Sequence, residues 1–160
     1  KAAAEGLGFL YNNYLQASDV KKPQHPYYLR PGAIPWTTVA PAVVLYKQKP
    51  YMVLGSPGSE RIYSTVSHFL IRMLDNGMDM CEAMHEPRLH CSIGGKISLE
   101  AGRFDPEVID YLERMGYKID RREDYAFYLG AIHAVLKCRT KRGFQGVAEV
   151  RRDGSAGGPE

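Results

Sequence analysis

The sequence predicts an α+β domain in which helices layer on an open sheet. Three observations carry this. The chain has 160 residues, enough for one domain with a full hydrophobic core. Its helical periodicities are gathered in the middle of the chain, whereas β-prone runs sit before and after them. That segregation disfavours the strict alternation of a doubly wound parallel sheet.

In order along the chain, Gly6 to Asn13 is a short apolar and aromatic run closed by turn formers, which predicts a strand at 7–12. Between Ser18 and Pro41 stand Pro23, Pro26, Pro31, Gly32, Pro35 and Pro41, a density that excludes a helix and predicts a long fixed loop. Loops of such length inside domains are commonly functional. Ala42 to Tyr46 and Tyr51 to Leu54 read as a hairpin with the longer loop Lys47-Gln48-Lys49-Pro50. From Arg61 the residues Ile62, Val66, Phe69, Leu70, Met73 and Leu74 recur at helical spacing until Asn76-Gly77 supplies a stop. Met80, Ala83 and Met84 predict a second short helix before Pro87, with Asp79 as its N-cap. A strand is expected near 96–100. Asp105-Pro106 opens a third helix with Val108, Ile109, Leu112 and Met115 on one face and Gly116 at its C-terminal cap. Strands are expected at 117–120, 130–138 and 144–150, and residues 154–160 as a frayed tail.

Composition narrows the function. Apolar residues at 44% and charged residues at 24% are ordinary globular usage, so disorder and coiled coil are disfavoured. The net charge of +3, with acids dispersed among the bases, does not argue for nucleic acid. No apolar stretch approaches the roughly 20 residues of a membrane span. Cys81, Cys91 and Cys138 are too few for a disulfide framework and are expected as free, mostly buried thiols, which leaves the compartment open. Lys1-Ala2-Ala3-Ala4-Glu5 is neither an initiator Met nor a signal peptide, as expected of a processed product or fragment.

Several segments could carry chemistry. Gly55-Ser56-Pro57-Gly58-Ser59 lies between a strand and a helix, where backbone N–H groups converge and an oxyanion could sit; the plain alternative is a turn that needs glycine. Thr37-Thr38 offers two adjacent hydroxyls for a carboxylate, or for local backbone. Cys81, His85, His90 and Cys91 are soft ligands within eleven residues, but without a paired Cys-x-x-Cys, and no metal or other cofactor is expected. Arg88 and Arg151 could clamp a carboxylate or hold structural ion pairs. His133 reads as a structural histidine within a strand.

Taken in order, the motifs Gly8-Phe9-Leu10-Tyr11-Asn12-Asn13, Pro35-Trp36-Thr37-Thr38-Val39-Ala40-Pro41, Gly55 to Ile62, Gly77-Met78-Asp79, Pro87-Arg88-Leu89-His90, Glu100 and Arg151 to Ala156 resemble the C-terminal part of the small subunit of γ-glutamyltranspeptidases. These belong to the N-terminal-nucleophile hydrolases. The resemblance covers nearly the whole chain, and residues 1–160 are expected as one C-terminal portion of such a small subunit. It implies a layered αββα sandwich of which this chain is a part. It also implies a precursor that cleaves itself into two subunits, so that the partner is the large subunit or upstream segment. The new N-terminal Thr attacks a small-molecule amide, with its own α-amine as base.

In the family that Thr precedes the segment matching Gly8 to Asn13, so it lies outside this chain, and the chain alone is expected to be inactive. The resemblance assigns Gly58 and Ser59 to the oxyanion hole through their backbone N–H groups, and Thr37 and Thr38 to the substrate carboxylate. The family Gln and Asp that hold the γ-glutamyl amine are replaced here by Tyr14 and Ala17, which lack the charge. Two further readings therefore stand beside a γ-glutamyl enzyme: an acylase of the same family with another acyl group, and a non-catalytic binding paralogue or fragment.

Overall fold

The computed structural model describes residues 5–8, 11, 15, 18–139 and 142–158. The strand expected at 7–12 lies largely outside these residues, and the described Leu7, Gly8 and Tyr11 are not in a strand. Two compact units divide the chain, residues 1–38 and 39–160.

In the first unit the proline-rich loop is held by local bonds. The Asp19 carboxylate accepts from the N–H of Lys21 and Lys22 at 2.7 and 2.8 Å, and Asp19 pairs with Tyr28 in an isolated bridge. Tyr27 stacks on Trp36 with ring centroids 4.1 Å apart.

Among its described residues the second unit has seven strands and three α-helices. Strands β1 (Ala42–Tyr46) and β2 (Lys49–Gly55) form the expected hairpin, but its connection is the two-residue turn Lys47-Gln48, with φ of 50° and 61°. Positive φ at both positions gives the turn the twist that lets strands continue to its edge. Strand β2 thus begins two residues earlier than expected. The pairing register shifts between Val44 and Leu45, opposite Pro50, which has no N–H to give the ladder.

Helix α1 (Arg61–Leu74) and helix α2 (Met80–His85) follow as expected. Asp79 caps α2 in a complete capping box: its carboxylate accepts from the Glu82 N–H at 2.8 Å, and the Glu82 carboxylate accepts from the Asp79 N–H at 3.0 Å. Next come β3 (Leu89–Cys91), β4 (Lys96–Glu100), α3 (Pro106–Arg114) capped by Asp105, and β5 (Lys118–Arg122). Strands β6 (His133–Lys137) and β7 (Phe144–Ala148) complete the chain. β7 stops short of the expected end because residues 150–152 close into a 3₁₀ turn, its first N–H bonds taken by Glu149.

One open sheet is not what these strands build. They form a four-stranded antiparallel sheet in the order β1-β2-β6-β7 and a three-stranded sheet β3-β4-β5 in which β4 and β5 run parallel. Met52, Leu54, Ala134 and Leu136 on one face of the larger sheet pack with Ile62, Val66 and Phe69 of α1 and Met80, Ala83 and Met84 of α2. Ile97, Leu99 and Ile109 make a second, smaller core between the other sheet and α3. The opposite face of the larger sheet is open. Val43, Val53 and Val135 stand in one cross-strand row, 60%, 47% and 44% exposed. With His133 and Gly146 they floor a groove of 530 Å³. From Gly154 on, where the sequence reads as a frayed end, the Gly154 N–H bonds the Glu149 carbonyl at 2.8 Å and Ala156 lies beside Gly146.

Candidate functional site

The turn that joins β2 to α1 is built for close backbone approach. Gly58 has φ of +137°, a conformation that side chains rarely adopt, and Ser59 follows at +54° in the left-handed region. Their carbonyls accept from the N–H groups of Arg61 and Ile62 at 3.1 Å each and so start the helix. Among the described residues, neither the Gly58 nor the Ser59 N–H has a hydrogen-bond partner. Gly58 is half-buried and Ser59 exposed, so two donors stand at the N-terminus of a 14-residue helix, where negative charge is favoured.

Beneath the turn runs the segment 126–132. Gly130, at φ of +82°, packs against Gly58: a Cβ on Gly58 would lie 3.4 Å from the Gly130 Cα. In the sequence, Gly130 carries one signal of this contact, a glycine just before a strand.

Arg88 and Arg151 are 1% and 5% exposed and are held in ion pairs within the fold. Arg151 Nε lies 2.6 Å from Glu100 Oε1 and its Nη1 2.9 Å from Glu149 Oε1, while Arg88 Nη1 lies 2.6 Å from Glu149 Oε2. The two carboxylates also accept backbone N–H groups, from Ala126 to Glu100 and from Ile132 to Glu149. Arg151 donates further to the carbonyls of Met84 and Glu86, both at 2.9 Å. Burial raises the Glu149 pKa, but Arg88, the Ile132 N–H and Arg151 together bring it below the usual carboxylate range. Burial and the neighbouring Arg151 push Arg88 down to about 10 against the pull of Glu149, so both remain charged at neutral pH. This cluster fastens α2, β4, the 126–132 segment and the C-terminal turn to one another.

Thr37 is exposed and Thr38 half-buried, both in the first unit after Trp36. Gly58, Ser59, Arg88 and Arg151 are in the second. Tyr14 and Ala17 lie outside the described residues. The candidate soft ligands do not converge. Cys81 Sγ is 3.7 Å from His85 Nδ1, but that nitrogen also lies 2.8 Å from the Cys81 carbonyl, and His90 is buried against Ser64 Oγ at 3.0 Å. Among the described residues no group of three or more His, Cys, Asp or Glu could hold a metal ion. Cys81 and Cys91 are exposed and Cys138 half-buried, which corrects the expectation of mostly buried thiols: Cys81 is on the outer side of α2, Cys91 ends the edge strand β3 and Cys138 lies just past β6. His133 is exposed at the start of β6. No described helix is long and apolar enough to cross a membrane.

The profile described as gamma-glutamyltranspeptidase matches residues 1–158, and the chain belongs to that family, within the N-terminal-nucleophile hydrolase superfamily. It is similar to a glutathione hydrolase proenzyme of Bacillus subtilis, at 26% identity over 149 residues, 93% of this chain and 24% of the relative. An acylase proenzyme of a Pseudomonas species is 29% identical over 127 residues, 79% of this chain and 22% of the relative. The chain thus spans about a quarter of the length of these curated relatives. A Helicobacter pylori gamma-glutamyltranspeptidase structure superposes with a TM-score of 0.78 at 28% identity, over 94% of this chain and 85% of that one.

Proposed function

We propose that this chain is the C-terminal portion of the small subunit of a γ-glutamyltransferase-like amide hydrolase or acyltransferase, whose nucleophilic N-terminal Thr lies outside these 160 residues. Attack of the Thr oxygen on the amide carbonyl forms a tetrahedral oxyanion as the α-amine takes the hydroxyl proton. The Gly58 and Ser59 N–H groups donate to that oxyanion. Collapse expels the amine, which receives the proton, and leaves an acyl-enzyme that water or an acceptor amine resolves. Thr37 and Thr38 hold the substrate carboxylate. The observation that carries this reading is the Gly58-Ser59 turn, whose two N–H groups are unpartnered among the described residues at a helix N-terminus.

The layered sandwich belongs to the same proposal. The exposed Val43-Val53-Val135 row is the kind of face a second sheet covers, and the rest of the precursor, about three quarters of a relative's length, is its occupant. The chain alone, lacking the nucleophile, is expected to turn over no γ-glutamyl amide.

A Gly58→Val variant of the complete two-subunit enzyme tests the turn. At φ of +137° a β-branched residue displaces the N–H groups, and kcat is expected to fall about 100-fold with a smaller change in KM. An unchanged kcat in a folded variant would leave the turn a purely structural role.

The second reading, an acylase with a non-γ-glutamyl acyl group, rests on Tyr14 and Ala17 and on the likeness to the Pseudomonas acylase proenzyme. Glutaryl and γ-glutamyl anilides, matched in leaving group and run on the complete enzyme, separate the two. A neutral pocket favours the glutaryl donor by about tenfold in kcat/KM. A γ-glutamyl preference of that size, unimproved by Ala17→Asp, overturns the acylase reading.

A further inference from the structure

The Gly58-Ser59 turn does not hold its own shape. Its backbone is in left-handed or unusual territory at two successive residues, and the bonds it makes within itself are few. What surrounds it is a set of side chains that grip the neighbouring segment 128–132, one backbone group after another. The Arg61 Nε donates to the Tyr128 carbonyl at 3.2 Å and the Thr65 hydroxyl to the Leu129 carbonyl at 2.9 Å. The Ser56 hydroxyl accepts from the Ala131 N–H at 3.0 Å and donates to the Pro57 carbonyl at 2.7 Å, which spends both its roles on the turn and its support. Gly130 sits at the centre. A Cβ there would come within 2.4 Å of Thr65 Oγ1 and 3.0 Å of Ser56 Oγ, so the two hydroxyls close over a space that only glycine leaves.

We propose that Ser56 and Thr65 are positioning residues that clamp the Gly58-Ser59 turn onto the Gly130 segment and so aim its N–H groups. The inference rests on the oxyanion reading given above. Both hydroxyls already have protein partners, and Thr65 is 2% exposed, so neither is offered to substrate. Their effect passes through the backbone. Donors aimed in advance stabilise an oxyanion because no reorganisation is needed during the reaction, and a misplacement of about 1 Å can cost on the order of 100-fold.

The test uses the complete two-subunit enzyme, with the N-terminal Thr released by an added protease site so that self-cleavage is not required. Ser56→Ala, Thr65→Val and Thr65→Ser are compared on a γ-glutamyl and a glutaryl anilide, with melting temperatures as the folding control. On the better donor, Ser56→Ala and Thr65→Val are expected to lower kcat by roughly 10- to 100-fold with KM within about threefold, and Thr65→Ser to recover most of it. Should buried Thr65→Val fail to fold, the part-exposed Ser56→Ala decides.

Folded Ser56→Ala with kcat within twofold of wild type overturns the proposal, as does an equal loss in Thr65→Val and Thr65→Ser. Replacing Ser59 by its α-hydroxy acid analogue, which removes that N–H and weakens the Gly58 carbonyl as an acceptor for Arg61 but leaves every side chain in place, separates the two levels. If this replacement lowers kcat while Ser56→Ala does not, the clamp fails and the oxyanion reading stands. If the replacement changes nothing, the oxyanion reading falls and the clamp with it.

Discussion

At the residue scale, the informative positions are those whose backbone or charge is uncomfortable. Ser59 occupies φ of +54°, where a side chain costs energy and glycine does not. Ser59→Gly is therefore expected to raise stability by about 1 kcal/mol, read as a higher denaturant midpoint at unchanged m-value. His68 on α1 is a second such position. Burial, then the charges of Arg72 and Arg88 and the neighbouring His90, lower its pKa to about 4, and its Nδ1 has no hydrogen-bond partner among the described residues. The unfolded chain binds this proton near pH 6.5 and the folded chain only near 4, so stability falls as pH drops through that window. His68→Leu is expected to flatten the loss by on the order of 2 kcal/mol between pH 6.5 and 4, measured by denaturation at each pH. An equal acid sensitivity in the variant would place the loss elsewhere. For Arg88 and Arg151 the residue types left both clamp and structural pair open, with the structural pair slightly favoured, and their burial against Glu100 and Glu149 decides for the pair.

At the element scale, local chemistry and tertiary demand agree for the helices and part for the strands. Asp79 and Glu82 cap α2 whatever surrounds it, and α2 in turn presents the Met84 carbonyl to Arg88 and Arg151. Asp79→Ala is expected to cost about 1 kcal/mol, seen as a lower Tm. Should the Tm be unchanged, the ion cluster rather than the cap holds this helix. The β1-β2 connection read as a four-residue loop because Lys47-Gln48 is not the Asn-Gly or Asp-Gly that such a turn prefers. The two-residue turn is imposed by strand pairing that continues to Tyr46 and Lys49. Likewise β3, three residues long, carries too little pattern to be read alone and forms because β4 offers it a ladder.

At the scale of the whole molecule, one face of the larger sheet is covered by α1 and α2 and the other is left with a valine row. A surface of that kind is unfavourable in water, by roughly 25 cal/mol for each Å² left exposed. Val53→Lys places a charge at the centre of the row. In the proposed two-subunit protein it is expected to weaken association between the small subunit, which carries this chain, and the large subunit at least tenfold, measured by dissociation on dilution, while leaving the helical content intact. Undiminished association would show that the second layer sits elsewhere.

What the sequence determined by itself was whatever depends on neighbours a few residues away: three helices with their caps, the proline loop, the hairpin strands and the glycine turn at Gly58. The ordered run of motifs also made the family legible. The tertiary structure alone decided the division into two sheets, the parallel pairing of β4 with β5, and the placing of Gly130 beneath Gly58. It alone also turned Arg88 and Arg151 inward, because burial and pairing are set by residues distant along the chain, such as Glu100 and Arg151, which meet only once both cores have closed.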